Sequence, residues 1–426
     1  RKYTRVTERI HSSEKKNVSM ILCGPKGQGG HMNLNFSYYM PTRIVFGSGK
    51  LKDLATSEQL PGEKALVVIG ATGAMKKHGY LERVTDYLTR NGVKTVVYDR
   101  ILPNPVAEHV DEGATIVRKE GCDFVIGLGG GSTIDSAKSI ALTAANPGTY
   151  WDYVAQGSGG RKKPPNDALP IVAITTTAGT GTEADPWSVI TKSDSNEKIG
   201  YGNDSTFPSL SIVDPELMLS VPPKITAHTG MDAFFHSVEA YLATVNQPIS
   251  DHLALEAISL ISRTLPACVR DGQNLEAREK LAWANTEAGI CITVSSCISH
   301  HSMEHAVSAY YPEVPHGAGL TILSLAYFTY LAERNPARYA DMAAAMGIHV
   351  EGMKEEDQAM AFISAAEKLI HEAGLEKETL SAYGVKKEDF KALAENSFFA
   401  MGGLYDVTPV KLTVDDVIRI FERAYH

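Results

Sequence analysis

Four of the 14 histidines in this 426-residue chain, His300, His301, His305 and His316, crowd into one short stretch. Upstream of them, Asp232 and His236 stand four positions apart. Residues at that spacing share a helix face, so Asp232 and His236 can converge on one divalent ion, and so can His301 or His305. His316 lies between Pro315 and Gly317, a sequence that predicts a turn closing the site from a loop. An Asp/His pair alone is as a rule a surface ion pair. At the chain's overall histidine frequency, however, fewer than one would fall in a window of this size, and the cluster therefore points to metal. One carboxylate with up to three imidazoles suits Zn2+ or Fe2+ rather than Ca2+ or Mg2+. No cysteine spacing contributes.

A second chemistry is written where apolar runs end. The run Phe124–Leu128 enters Gly129-Gly130-Gly131-Ser132, and a helix is expected from about Asp135 past Lys138. Glycines let the backbone approach a pyrophosphate, and the N–H groups and dipole of a helix start favour its charge. The spacing is not G-x-G-x-x-G. A second polar exit, Thr175-Thr176-Thr177-Ala178-Gly179-Thr180-Gly181, follows the run Ile171–Ile174, with small residues to admit a planar group and hydroxyls to bond ribose or amide atoms. Two such exits read together as a dinucleotide site.

The elements that must position these groups divide the chain in two. Apolar runs at Arg43–Phe46, Ala65–Ile69, Thr95–Tyr98, Phe124–Leu128, Ile171–Ile174 and Ser211–Val213 read as buried strands, with helical stretches such as Tyr80–Thr89 and Glu108–Lys119 between them. Strand–helix alternation predicts a Rossmann-like, mostly parallel sheet covered on both faces, which binds ligands at the carboxyl ends of its strands. After Asp214-Pro215 helical periodicity takes over, clearest at Leu253–Leu265, Leu281–Ser296 and Ala359–Ala373. We therefore expect an α/β dinucleotide-binding domain over 32–215 and an all-α metal-binding domain over 216–426. Residues 1–31 are polar and aperiodic and read as a leader or tag-like segment.

Composition excludes several function classes. A formal net charge of -9, with no basic run, argues against nucleic acid or an anionic membrane as partner. No apolar run has the length of about 18 residues needed for a membrane span. The five cysteines are odd in number and scattered, as free thiols of a reducing compartment would be, so a cytoplasmic location is expected.

With these motifs in order, the chain resembles the iron-containing, or group III, alcohol dehydrogenases over nearly all of residues 40–426. The resemblance rests on Pro41-Thr42-Arg43-Ile44-Val45-Phe46-Gly47, Pro103-Asn104-Pro105, Gly129-Gly130-Gly131-Ser132 with Asp135 and Lys138, and Thr176-Thr177-Ala178-Gly179-Thr180. In the helical half it rests on Gly230-Met231-Asp232-Ala233, His236, Glu239-Ala240-Tyr241, His301, His305 and Pro315-His316-Gly317. It implies the fold shared with dehydroquinate synthase, and a metal held by Asp232, His236, His301 and His316. His305 would then face the nicotinamide as a catalytic group, a choice between His301 and His305 that spacing leaves open. It also implies coenzyme contacts from Gly130, Gly131, Ser132, Thr176, Thr177, Thr180 and Lys198; Gly70, Gly129 and Asp135 join that candidate set. His300 reads as structural, and Trp187 and Ile292 are candidate pocket residues. A homodimer or larger homo-oligomer is implied too.

In that family an Asp often ends the second strand and repels a 2′-phosphate; here the strand exits into Gly70-Ala71-Thr72-Gly73, with Lys76 and Lys77 just beyond. One carboxylate about 5 Å from a phosphate charge, at an effective dielectric near 20, costs roughly 3 kcal/mol, about two decades in affinity. Its absence predicts use of NADP(H) as well as, or ahead of, NAD(H). The implied reaction moves hydride between NAD(P)(H) and a small alcohol or aldehyde, with Fe2+ or Zn2+ polarising the substrate oxygen. Between Leu281 and His316 there is no Lys or Arg, which favours a neutral substrate. The same absence counts against a second reading, a dehydroquinate-synthase-type lyase, which must grip a phosphate leaving group.

Overall fold

In a computed structural model, which describes residues 34–425, β-branched and aliphatic runs form the expected sheet. The segment expected as a leader, 1–31, lies outside the described residues. Six parallel strands stand in the order β1-β8-β5-β4-β2-β3, namely β1 (Arg43–Phe46), β2 (Lys64–Gly70), β3 (Lys94–Ile101), β4 (Phe124–Gly129), β5 (Ile171–Thr175) and β8 (Leu210–Val213). Alternate side chains of one strand serve opposite faces. Val67 and Ile69 pack with Val84 and Leu88, whereas Leu66 and Val68 pack with Val110, Val117 and Ile140. The connecting helices α1 (Ala74–Lys77), α2 (Tyr80–Arg90), α3 (Ala107–Glu120) and α4 (Gly131–Ala145) therefore divide between the two faces.

Two departures from the sequence reading matter for the site. The α4 helix begins at Gly131, four residues before the expected start, with Gly130 in extended backbone as its N-cap. The glycine run is thus itself the helix start. The chain also forms an antiparallel hairpin, β6 (Ser188–Lys192) with β7 (Glu197–Tyr201), which the reading lacked. Its lysines, glutamate and serines mask the period-2 pattern, and only Ile190 and Ile199 mark the buried face.

After β8 the chain is helical: α5 (Pro223–Leu242), α6 (Pro248–Arg270), α7 (Leu275–Val294), α8 (Ser299–Tyr310), α9 (His316–Ala332), α10 (Tyr339–Ala345), α11 (Glu355–Glu372), α12 (Phe390–Met401), α13 (Gly403–Asp406) and α14 (Val414–Ala424). Their core includes stacked and edge-on rings of Phe234, Phe235, Phe328 and Phe362. No described helix is long and apolar enough to cross a membrane.

Close backbone approaches lock the helices onto the sheet side. Gly181, at φ +63, would with a Cβ meet Gly289 Cα of α7 at 2.5 Å, and its N–H donates to Asn285 Oδ1 at 2.9 Å. Only glycine combines that left-handed conformation with that contact. The threonine-rich loop after β5 is thereby clamped against α7, and Gly179 lies against Thr229 of α5, one turn before Asp232.

Candidate functional site

Asp232 and His236 project from one face of α5, His301 and His305 from α8, and His316 from the first position of α9. His316 does not sit in a turn as expected: Pro315 is the N-cap and the helix begins at once. Gly317 permits this start, because a Cβ there would lie 2.0 Å from His228 O of α5. Three helices thus bring four donors together. Asp232 Oδ1 lies 3.6 Å from His236 Nε2, 3.4 Å from His301 Nε2 and 3.5 Å from His316 Nε2. Asp232, His236 and His301 are all at least nine-tenths buried. Asp232 Oδ1 and His301 Nε2 have no hydrogen-bond partner. Buried polar atoms are rarely left so, and a convergent carboxylate with three imidazole nitrogens has the composition and spacing of a divalent-metal site. These four residues have the donor chemistry to hold a divalent ion.

Two carboxylates that the sequence reading left without a role sit behind the imidazoles. Glu239 Oε1 accepts from His301 Nδ1 at 2.6 Å and from His300 Nδ1 at 2.7 Å. His300 Nε2 also reaches Leu320 O at 3.0 Å, so His300 is a satisfied core residue. Glu304 Oε2 bonds His316 Nδ1. A carboxylate on Nδ1 fixes the tautomer and turns the Nε2 lone pair toward the site. Burial opposes charge throughout the cluster, yet the nearby imidazoles hold Asp232 and Glu239 below the usual carboxylate range. Asp232 in turn outweighs burial at His236 and lifts it to about 9. A bound cation has those protons to displace.

One cysteine lies beside the site. Cys297, in the short link between α7 and α8, offers its sulfur within 4.8 Å of ring nitrogens of His236 and His301. The four described cysteines, Cys122, Cys268, Cys291 and Cys297, are all free; the first three are buried and Cys297 is partly exposed. Nothing in the spacing of the sequence signals this approach, since Cys297 stands before the helix that carries His301.

His305 is buried, with Nδ1 unpartnered, and its ring centre is 5.4 Å from that of His316. Burial, with Lys198 and His316 nearby, holds it well below the usual histidine value, so it is neutral at pH 7. Lys198 arrives on β7. Its ammonium donates to Ser308 Oγ at 2.8 Å and lies 3.5 Å from Glu304 Oε2 and 3.4 Å from His316 Nδ1. The cation-free segment 282–315 therefore does meet one cation, delivered by the missed hairpin and paired with a buried glutamate.

On the sheet side the two polar exits adjoin, because β4 and β5 are neighbours. A Cβ on Gly130 would meet Thr177 Oγ1 at 2.9 Å, and one on Gly131 would meet Thr180 Cγ2 at 2.3 Å; Thr176 N–H donates to Gly129 O at 2.9 Å. Ser132 Oγ donates to Pro103 O. The first turn of α4 holds no acidic residue, so its N–H groups are free of a competing carboxylate there. Asp135 does not share this surface: Thr182 Oγ1 donates to it at 2.6 Å and Val189 N–H at 2.9 Å. It braces the hairpin through these two bonds, and burial lifts its carboxyl to about 6. Gly70 stands beside Thr133 and Ile101 O. Lys76 pairs with Asp99 of β3 at 2.5 Å, so a carboxylate absent from the end of β2 is present on the neighbouring strand. Of the pocket candidates, Trp187 is 42% exposed and Ile292 is buried.

The family model described as iron-containing alcohol dehydrogenase matches residues 41–215, and that of the Fe-containing alcohol dehydrogenase family, C-terminal, matches 226–425. The chain is 34% identical over 391 residues to the NAD-dependent methanol dehydrogenase of Bacillus methanolicus, covering 91% of this chain and 99% of that one. It is 33% identical to the 1,3-propanediol dehydrogenase of Klebsiella pneumoniae, covering 92% and 99%. The crystal structure of an archaeal halo-thermophilic alcohol dehydrogenase from a Red Sea brine pool superposes with a TM-score of 0.88 at 37% identity, covering 92% of this chain and all of that one.

Proposed function

The chain belongs to the iron-containing alcohol dehydrogenase family, and on that premise we propose that it transfers hydride between NAD(P)(H) and a small neutral alcohol or aldehyde in the cytoplasm. The observation that carries this reading is Asp232 Oδ1, unpartnered and ringed at 3.4 to 3.6 Å by three imidazole nitrogens. Asp232, His236, His301 and His316 would hold a divalent ion of the iron or zinc kind, which supplies electrophilic polarisation of a substrate oxygen when bound. The nicotinamide supplies or accepts the hydride.

The chain's own residues do the rest. Glu239 and Glu304 fix the Nδ1 hydrogen bonds of His301 and His316, so both rings present Nε2. Gly130 and Gly131 let Thr177 and Thr180 pack directly on the glycine backbone beside the coenzyme site, and the α4 N-terminus would offset its phosphate charge. His305 Nδ1, buried and without a partner, would exchange the alcohol proton. Lys198 spends its charge on Glu304, which supports a neutral substrate despite its arrival. No second cation joins the described cluster, and this disfavours the lyase reading, which needs a phosphate grip.

Both coenzymes should serve. The end of β2 lacks an acid, and Asp99 is engaged by Lys76. The test is oxidation of NADPH and NADH by metal-loaded protein with a panel of short aldehydes. We expect turnover with both, and loss of turnover after chelation. NADH favoured more than tenfold in kcat/KM would overturn the coenzyme assignment, and no turnover with any aldehyde or alcohol would overturn the activity.

A further inference from the structure

Cys297 has the chemistry and position of one more donor to the cation site. Its sulfur and one nitrogen each of His236 and His301 lie within 4.8 Å of one another. Opposed ligands on one ion stand about 4.3 Å apart, given zinc–sulfur and zinc–nitrogen bonds of about 2.3 and 2.0 Å, so a shift of about 0.5 Å or less brings these donors within reach of one ion. His301 Nε2, the nitrogen that faces Asp232, is buried without a hydrogen-bond partner. The thiol is also held in place. Ser295 Oγ donates to Ala240 O at 2.9 Å and the Ile298 N–H donates to Glu239 Oε2 at 2.8 Å. The link on either side of Cys297 is therefore tied to α5 one turn beyond His236. Cys297 itself is partly exposed.

We propose that Cys297 ligates the same cation as Asp232, His236, His301 and His316, an inference that rests on the metal reading above. On ligation the thiol proton passes to solvent and a sulfur–metal bond forms, with no change of oxidation state. Asp232 and the thiolate together then balance the two positive charges of the ion. A soft thiolate among imidazoles favours zinc over iron, so this chain selects zinc more strongly than its four other donors would.

The test uses metal-free full-length protein loaded anaerobically with Co2+. Wild type should show near-ultraviolet sulfur-to-cobalt charge-transfer absorption that disappears in both Cys297→Ser and Cys297→Ala, while these variants still bind cobalt and keep its visible ligand-field bands. Loaded from an equimolar Zn2+ and Fe2+ mixture, wild type should retain a zinc-to-iron ratio about tenfold above that of Cys297→Ala. Cobalt bound by wild type with ligand-field bands alone, or a charge-transfer band that survives both substitutions, overturns the inference and leaves the four-residue site standing. Failure of wild type to bind cobalt at all overturns both.

Discussion

The sheet half and the helical half bind by opposite means. At the exits of β4 and β5, the proposed recognition depends on atoms that are missing: Gly130 and Gly131 let Thr177 and Thr180 close onto their backbone, and main-chain N–H groups would supply the polarity. In the helical half it depends on side-chain atoms that converge from α5, α8 and α9, each backed by a carboxylate or a neighbour. A main-chain site is damaged by adding a methyl group, and a side-chain site by removing a donor. The two kinds of damage should separate cleanly, since Gly179 and Gly181 fasten the halves together by packing rather than by shared ligands.

Removing a donor should have the largest effect. His236→Ala should lower kcat/KM by about 10,000-fold, on the order of 5 kcal/mol, with metal content lost and coenzyme affinity nearly unchanged; coenzyme titration with elemental analysis checks both. Intact turnover in that variant would break the comparison. Glu304→Gln acts one step back. It weakens the hold on His316 Nδ1 and should reduce metal affinity by about 10- to 100-fold, measured by competition with a chelator. An unchanged affinity would show that Glu304 serves only to pair Lys198. Gly131→Ala is the converse experiment, since its Cβ would fall 2.3 Å from Thr180 Cγ2. Coenzyme affinity should fall about tenfold, roughly 1.4 kcal/mol, with the metal retained; loss of metal instead would mean that the halves are not separable.

The smallest effect on turnover is expected at Glu183, which fastens the threonine loop to α7. Its Oε1 accepts from Asn285 Nδ2 at 2.9 Å and Thr286 Oγ1 at 2.7 Å, while Oε2 is buried without a partner. Burial lifts its carboxyl from 4.5 to about 7. The folded chain therefore holds this proton more tightly than the unfolded chain. Its contribution to stability is complete below pH 4.5 and is lost as pH rises to about 7, up to about 3 kcal/mol in all. Glu183→Gln should flatten the pH dependence of the thermal midpoint across that window. An unchanged slope would contradict the assignment.

How far the residues announced this arrangement differs between the halves in the same way. The strands of the sheet were legible because buried parallel strands read as unbroken apolar runs, and β4, buried along its whole length at Phe124–Gly129, matches the expected Phe124–Leu128 to within one residue. The start of α4 was misplaced because glycines and Ser132 resemble a loop until the extended backbone of Gly130 caps them. The spacing of Asp232 and His236 was legible since both share one helix face, whereas the choice of His301 over His305 needed the resemblance. Glu239, Glu304, Cys297 and Lys198 carry no local pattern that ties them to an ion. Lys198 reaches His316 from 118 positions away through a hairpin whose polar strands hid it. Contacts made by tertiary packing leave no period in the sequence, and these are the ones the reading missed.

Elemental analysis of anaerobically purified protein, wild type beside Asp232→Ala, tests the central claim most directly. About one equivalent of iron or zinc per chain is expected in the wild type, and essentially none in the variant, with hydride transfer to a short aldehyde lost in parallel. Full metal content and undiminished turnover in Asp232→Ala would contradict it.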